Sequence, residues 1–325
     1  MLVVKLFFGN RSFAMLILPF ILGGYYICNY FTGHHVEEAK AGFGFWGEFN
    51  IQFHWSAQVL AMGLIFVNAV LINLQFNRND FMEKNNFITA LLYVTLMSFQ
   101  HSFYFLDGLG IAQTLLILML FQLFKLRQNE DGRRAVFNTA FLYGLACSFF
   151  PVLLLGTPVI FWMIWVIRPF IFRESMLIIL GFTVPLIYSG IYGAMFGVEL
   201  ESEKFSSSSA NVHLFESLVL IGGGVLLFFA SVNLLLNKLR VSSIRLKKVF
   251  RVLFLMSLLF VATVVLESFA FNKLDAIGLI IFPLCFYLPY AFGTKELRSF
   301  PSFIYYLIFF FSVGKFFIPF DSLAF

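Results

Sequence analysis

Titratable residues gather in one short polar stretch that follows the first apolar segment of the chain. Residues 32–50, TGHHVEEAKAGFGFWGEFN, hold the adjacent histidines His34 and His35, the adjacent glutamates Glu37 and Glu38, and Lys40. A dry wall beside a carboxylate raises the pKa of that carboxylate, which suits a general base near neutral pH. One interpretation is therefore that Glu37 or Glu38 does acid–base work at the lip of a hydrophobic cavity.

The same stretch has two other interpretations. Histidine and carboxylate groups bind zinc, so His34 and His35 with the two glutamates form a weak candidate for a divalent metal site, because zinc ligands are usually spaced along the chain. A solvated loop without chemistry is the third interpretation. The interleaved glycines and aromatics of residues 42–46 favour function slightly, since such rings suit a membrane interface and also stack on a sugar or a lipid.

Three further titratable residues fall inside apolar segments: His101, Glu267 and Lys315. A charge at the centre of a membrane helix costs about 2.5–3.5 kcal/mol on the insertion scale, so such residues are functional candidates. We expect Lys315 either to pair with Glu267 or to meet a lipid phosphate. A structural ion pair, or a side chain that extends to the interface, is the alternative.

The composition indicates the class of protein that carries these residues. Of 325 residues, 60% are hydrophobic and only 12% are charged, whereas a soluble domain is about half apolar and about a quarter charged. The chain is therefore predicted to be an integral membrane protein, with membrane lipids and no nucleic acid among its partners. The first apolar run is too long for a signal peptide, so we expect a retained span.

Eleven apolar segments are candidates for membrane helices, because a span needs about 20 residues in helical form. They cover roughly residues 12–31, 56–76, 87–106, 111–124, 136–150, 152–167, 176–197, 214–237, 252–271, 276–293 and 302–320. We predict an all-α, polytopic transmembrane helix bundle that forms a single membrane domain over residues 1–325. The segments 111–124 and 136–167 are expected to be short or re-entrant helices, since Pro151, Gly156 and Pro158 break the second of them.

The basic residues orient this bundle. With the N-terminus inside and the C-terminus outside, 18 of the 22 Lys and Arg residues lie at the inner face, as the positive-inside rule requires. The longest outer loops are 32–55 and 198–213, and the inner loop 237–251 carries six basic residues. This inner loop can attract anionic headgroups, although the positive-inside rule alone also accounts for it. All five histidines fall on the outer side: His34, His35, His54, His101 and His213.

The layout resembles the polytopic glycosyltransferases of the GT-C class, which use polyprenyl-phosphate-linked sugars. Such proteins start inside and carry an acidic residue in the first outer loop, where this chain has Glu37 and Glu38. They often show short or re-entrant hydrophobic pairs, as residues 137–193 with the motif RPFIFRE do. The chain also looks like a family of multi-spanning inner-membrane proteins from Bacteroidota. Both resemblances imply a multi-pass protein of the bacterial inner membrane.

The GT-C resemblance implies a specific chemistry at the outer, periplasmic face. Glu37 or Glu38 would activate the hydroxyl of an envelope glycan or protein acceptor, the donor's prenyl tail would lie in a groove between spans, and cations would stabilise the leaving phosphate. No cofactor is implied except, weakly, a divalent metal. The polar residues near the donor's phosphate would be Lys40, Lys273, Lys315, His101 and Glu267.

The sequence is also compatible with two other functions. A transporter or lipid flippase would use the same buried charges as a path for substrate or protons. A non-catalytic membrane subunit of a cell-envelope complex would use its lipid-facing and loop surfaces. A deep outward cavity at Glu37 or Glu38 would favour the enzyme, two pseudo-symmetric halves with a midplane site would favour transport, and a closely packed bundle would favour the subunit.

Overall fold

The fold is seen in a computed structural model that describes residues 2–9, 13–33, 40–50, 54–126, 131–198, 214–271, 274–293 and 299–317. These residues are mostly helical. The α-helices are α1 (Leu2–Phe8), α2 (Phe13–Thr32), α3 (His54–Arg78), α4 (Ile88–Met97), α5 (Gly108–Lys125), α6 (Arg133–Phe149), α7 (Thr157–Ile167), α8 (Phe172–Phe196), α9 (Leu214–Val241), α10 (Ile244–Phe271), α11 (Ile277–Tyr287) and α12 (Ser299–Gly314). Two short strands, β1 (Lys40–Gly42) and β2 (Glu48–Asn50), form a hairpin between α2 and α3.

Six of the described helices are long and apolar enough to cross a membrane: α2, α3, α5, α8, α9 and α10. Many of their large apolar side chains are exposed, including Phe20 on α2, Tyr188 on α8 and Phe229 on α9. Exposed apolar surface on this scale is stable only against lipid or another apolar partner. Apart from the short β1–β2 hairpin, the protein is therefore an all-helical, membrane-embedded bundle. The count of eleven spans and the orientation of the termini stay predictions.

Two of the predicted segments have different lengths in the structure. The segment 87–106 is not one continuous span, because α4 ends at Met97 and residues 98–107 form a turn that contains a short 3₁₀ helix, His101–Phe103. The ten residues of α4 rise about 15 Å, half the thickness of the membrane core. The segment 111–124, predicted to be short, belongs to the 18-residue helix α5, which Asp107 extends by capping its first turn.

The prediction of two short helices over residues 136–167 is confirmed. Helix α6 ends at Phe149, a 3₁₀ turn follows over Pro151–Gly156, and α7 begins at Thr157. The Tyr143 hydroxyl donates to the carbonyl of Leu153 at 2.6 Å, so the turn is tied back onto α6. Proline supplies no backbone N–H and fixes its own φ, which ends the first helix here.

Buried helices occupy the centre of the bundle. Every residue of α4 is buried, as expected for a helix that is apolar on all sides. A chain of hydrogen bonds crosses this core: Asn68 donates to the Tyr93 hydroxyl at 3.4 Å, Tyr93 to Gln113 at 2.9 Å, and Gln113 to the carbonyl of Gly278 at 3.0 Å. The chain joins α3, α4, α5 and α11, and it satisfies polar groups that would be costly if buried alone.

Helices α6 and α8 pack backbone to backbone. A Cβ atom at Gly144 would lie 2.4 Å from the carbonyl oxygen of Phe182, and one at Gly181 would lie 2.7 Å from that of Phe137. Glycines allow this approach because they carry no side chain. In the first turn of α8, Glu174 pairs with Arg168 at 3.0 Å, so the chain that enters this helix is fixed as well.

Candidate functional site

The hairpin β1–β2 lies within the polar loop that follows α2. Lys40 pairs with Asn50 across its antiparallel strands, and residues 44–46 form a 3₁₀ turn between them. Gly44 and Gly47 have φ values of 61° and 87°, a conformation that residues with side chains rarely adopt. The glycines of the sequence GFGFWG are therefore turn residues, and this part of the polar stretch 32–50 is a folded element.

The hairpin is docked on the ends of α6 and α8 through Trp46. The indole ring stacks on Phe149 at 5.8 Å between ring centroids and lies 5.2 Å from Tyr192. Its Nε1 donates to the Ser148 hydroxyl at 2.9 Å. A Cβ atom at Gly44 would lie 2.6 Å from the carbonyl oxygen of Phe149, so the backbones also touch. These aromatic residues thus have a structural role in anchoring the hairpin.

A cavity of about 440 Å³ lies at the base of this hairpin, and it is called the hairpin cavity below. Its volume falls within the range of small-molecule sites, about 300–1,000 Å³. The wall is almost wholly apolar, and it is formed by the hairpin, α3, the turn before α5, α5 itself and α6. The lining residues are Phe43, Trp46, Ser56, Ala57, Leu60, Leu106, Ile111 and Phe149.

A buried ion pair lies beside the turn that leads to this cavity. Lys315 is 2% exposed. Its ammonium group donates to Glu216 Oε2 at 2.7 Å and to the carbonyl oxygen of Ser98 at 2.6 Å. The rings of Phe99, Tyr104 and Phe316 lie 5.2–5.5 Å from its nitrogen, close enough for cation–π attraction. The pair joins the ends of α9 and α12 to the 98–107 turn.

The ion pair that the structure shows for Lys315 is therefore with Glu216, not with the Glu267 that the sequence suggested as a partner. Glu267 is also buried, and its Oε2 accepts a hydrogen bond from the backbone N–H of Ala276 at 2.7 Å. Glu216 could have been found from the sequence, since it is a carboxylate in an apolar run. Its pairing depends on the packing of α9 against α12.

The 98–107 turn holds two further titratable residues. His101 stacks on Phe105 with 4.8 Å between ring centroids. Asp107 caps α5: its Oδ1 accepts from the Gly110 N–H at 2.7 Å and its Oδ2 accepts from the Ser102 hydroxyl at 2.6 Å. Burial raises the pKa of Asp107 to about 7, and the two hydrogen bonds only partly offset that effect.

We expect Asp107→Asn to change how the stability of the protein depends on pH. Because the pKa of this carboxyl is raised from 3.8 to about 7, its contribution is fully present below pH 3.8 and is lost as the pH rises towards 7. Relative to wild type, the variant should gain about 2–3 kcal/mol of stability between pH 5 and pH 8. Thermal unfolding in detergent measures this gain. The exposed Asp131→Asn is the control. If the stability difference between Asp107→Asn and wild type were the same at pH 5 and at pH 8, the expectation would be contradicted.

The remaining predicted site residues have these positions. Lys40 begins β1, whereas His34, His35, Glu37, Glu38 and Lys273 lie outside the described residues. Within the described part of the chain, no group of three or more His, Cys, Asp and Glu residues is placed to hold a metal ion. The metal interpretation of the two histidines thus stays a prediction from the sequence.

Comparisons of the chain with protein-family models, with curated proteins and with solved structures gave no match. A helical membrane bundle is compatible with many activities, since function depends on the site rather than on the fold. The hairpin cavity is therefore the basis for a functional assignment.

Proposed function

We propose that this protein is a membrane-embedded, glycosyltransferase-like enzyme that transfers a sugar from a polyprenyl-phosphate donor at the hairpin cavity. The observation that carries the proposal is this cavity of about 440 Å³, walled by apolar and aromatic side chains. Part of its wall is the hairpin that begins at Lys40, two positions after Glu38 in the sequence. The acceptor would be an envelope glycan or protein, and the membrane would be the bacterial inner membrane.

The position of the two glutamates in the sequence supports this arrangement. Glu37 and Glu38 precede Lys40, the first residue of the hairpin, by three and two positions. An extended chain covers at most about 3.6 Å per residue, so three residues of chain set the longest tether between Glu37 and the start of the hairpin. A general base must come within hydrogen-bond distance of the proton that it removes, and a short tether to a rigid hairpin favours such positioning.

The aromatic walls of the cavity support a sugar or prenyl ligand. Phe43 and Trp46 face it from the hairpin, and Phe149 faces it from α6. Aromatic rings offer large, rigid contact surfaces at small entropic cost. The Trp46 indole is held by Ser148 and Phe149, so this surface is preorganised rather than assembled when the ligand binds.

The basic residues of the site have two proposed roles. Lys40 and Lys273 remain the candidates for holding the donor's phosphate. Lys315 is engaged with Glu216 and Ser98, and it fixes the 98–107 turn that contributes Leu106 to the cavity wall. Lys315 is therefore proposed as a positioning residue. Stabilisation of the leaving phosphate would come from cations at the open side of the site.

The test is replacement of the two glutamates, separately and together. In protein reconstituted with a polyprenyl-phosphate sugar, we expect Glu37→Gln/Glu38→Gln to lower the release of polyprenyl phosphate by about 10²–10⁴-fold, the contribution of a general base. Glu83→Gln is the matched control, since Glu83 is exposed in the turn between α3 and α4. Full activity in the double variant would remove the catalytic role of this loop.

A lipid transporter is the second candidate, and the buried charges of Lys315, Glu216 and Glu267 favour it, because ionisable groups inside a membrane protein often line a transport path. The same reconstituted vesicles separate the two functions. Movement of a labelled lipid between leaflets without sugar release would support transport, whereas sugar release without lipid movement would support the enzyme.

A further inference from the structure

A second cavity, of about 1240 Å³, lies between α9 and α10 with α11 as its floor. It is called the α9–α10 groove below. Leu236, Phe254 and Val261 line it and are also exposed, so the groove opens on the surface that lipid covers. Along α9 its wall runs from Leu220 to Arg240, which is about 30 Å at 1.5 Å per residue. This length matches the hydrocarbon core of a bilayer.

The charged residues of the groove all lie at one end. Arg240 is in the last turn of α9, and Lys247 and Arg251 are in the first turns of α10. These three are the only charged residues among the described residues that line the groove, and all are basic. The rest of the lining is nearly all apolar. An elongated apolar trough with a positive end is complementary to a lipid with an anionic headgroup.

These three basic residues differ from Lys248 and Arg168 in what they contact. Lys248 donates to the carbonyl of Ile167 at 3.1 Å and so caps the end of α7. Arg168 pairs with Glu174. By contrast, the side chains of Arg240, Lys247 and Arg251 are exposed. Lys247 Nζ donates to the carbonyl of Arg240 at 3.5 Å, and in the described part of the chain none of the three has a carboxylate partner. Their charges are thus available to a ligand.

Tyr287 adds a polar group to the floor of the groove. Its ring stacks on Phe250, the residue before Arg251, which places it close to the basic end. The residue is 7% exposed, and its hydroxyl lies beside the Ser257 hydroxyl. The Ser257 hydroxyl itself donates to the carbonyl of Leu253. Because the Tyr287 hydroxyl is buried, the charged contacts that the groove offers a ligand come from the three basic residues.

We propose that the α9–α10 groove binds an anionic glycerophospholipid of the leaflet next to the α9–α10 turn. Arg240, Lys247 and Arg251 hold its phosphate, and the acyl chains lie along α9 and α10. This site is separate from the hairpin cavity and does not depend on the glycosyltransferase assignment.

The test is native mass spectrometry of the full chain in mild detergent, titrated with phosphatidylglycerol or phosphatidylcholine of the same acyl chains. We expect wild-type protein to bind phosphatidylglycerol preferentially. The triple variant Arg240→Gln/Lys247→Gln/Arg251→Gln should weaken that binding about 100-fold, which corresponds to about 3 kcal/mol. The matched control is Lys84→Gln/Lys125→Gln/Arg245→Gln, which removes the same charge from exposed residues outside the groove and should bind as wild type does.

Equal loss in the two triple variants, or equal binding of the two headgroups, would overturn the proposal. So would displacement of phosphatidylglycerol by inorganic phosphate alone, or by an equimolar polyprenyl phosphate, which would assign the groove to a free anion or to a prenyl chain.

Discussion

Lys315→Met is expected to destabilise the protein by about 3–5 kcal/mol, because it leaves the Glu216 carboxylate in the bundle without its cation. The lysine and the glutamate are 2% and 5% exposed, so water compensates little. The variant also releases the carbonyl of Ser98 and the 98–107 turn. Unfolding in detergent, followed by circular dichroism against denaturant concentration, measures the change.

Two further variants separate the effect of the buried charge from the effect of altered packing. Lys315→Met/Glu216→Leu removes both charges and should recover most of the lost stability, since a buried ion pair is often replaceable by apolar groups. Arg133→Gln breaks an exposed pair with Asp131 at 3.7 Å and should cost less than about 1 kcal/mol. A double variant as unstable as Lys315→Met would show that the pair's charges are not the cause.

Gly144→Ala is expected to destabilise the contact between α6 and α8 by about 1–3 kcal/mol, the usual cost of overpacking. The new methyl group would lie 2.4 Å from the carbonyl oxygen of Phe182. That oxygen belongs to the backbone of α8, so the whole helix must shift to relieve the clash. Gly181→Ala meets the carbonyl oxygen of Phe137 at 2.7 Å from the other side and should have a similar effect on the unfolding midpoint.

Gly190→Ala is the matched control for this pair. Gly190 lies on α8 too, but a Cβ atom there meets nothing within 4 Å. Since alanine is the better helix former by about 1 kcal/mol, this variant should be as stable as wild type or slightly more stable. If Gly144→Ala and Gly190→Ala behaved alike, the close packing of α6 on α8 would not matter for stability.

The class of the protein and one of its helix ends could be predicted from the sequence. When a long apolar run lies in lipid, it satisfies the hydrogen bonds of its backbone polar groups internally by folding as a helix. Composition alone therefore indicates a helical membrane bundle. The break at Pro151 was also predictable, because it depends on the local geometry of one residue. Both conclusions follow from properties of short segments.

Apolarity alone did not distinguish a membrane span from a helix buried in protein. Residues 87–106 were predicted to be one span, but α4 ends at Met97 because residues 98–107 are held by contacts to α12 and α5. Likewise, α5 is longer than its apolar run because Asp107 caps it. These boundaries depend on neighbours that are distant in sequence. The roles of Glu37 and Glu38, by contrast, stay predictions that the glutamine variants will test.

The sequence by itself determined that this is an apolar, helical protein with a polar first loop, since these are sums over residue types and local patterns. Only the tertiary structure decided that Lys315 pairs with Glu216, 99 positions away, and that Arg240, Lys247 and Arg251 share one groove. The six basic residues of the segment 237–251 look alike in sequence. Their roles separate only when α9, α10 and α11 pack, because the partner of a charge is set by distance in space rather than by position along the chain.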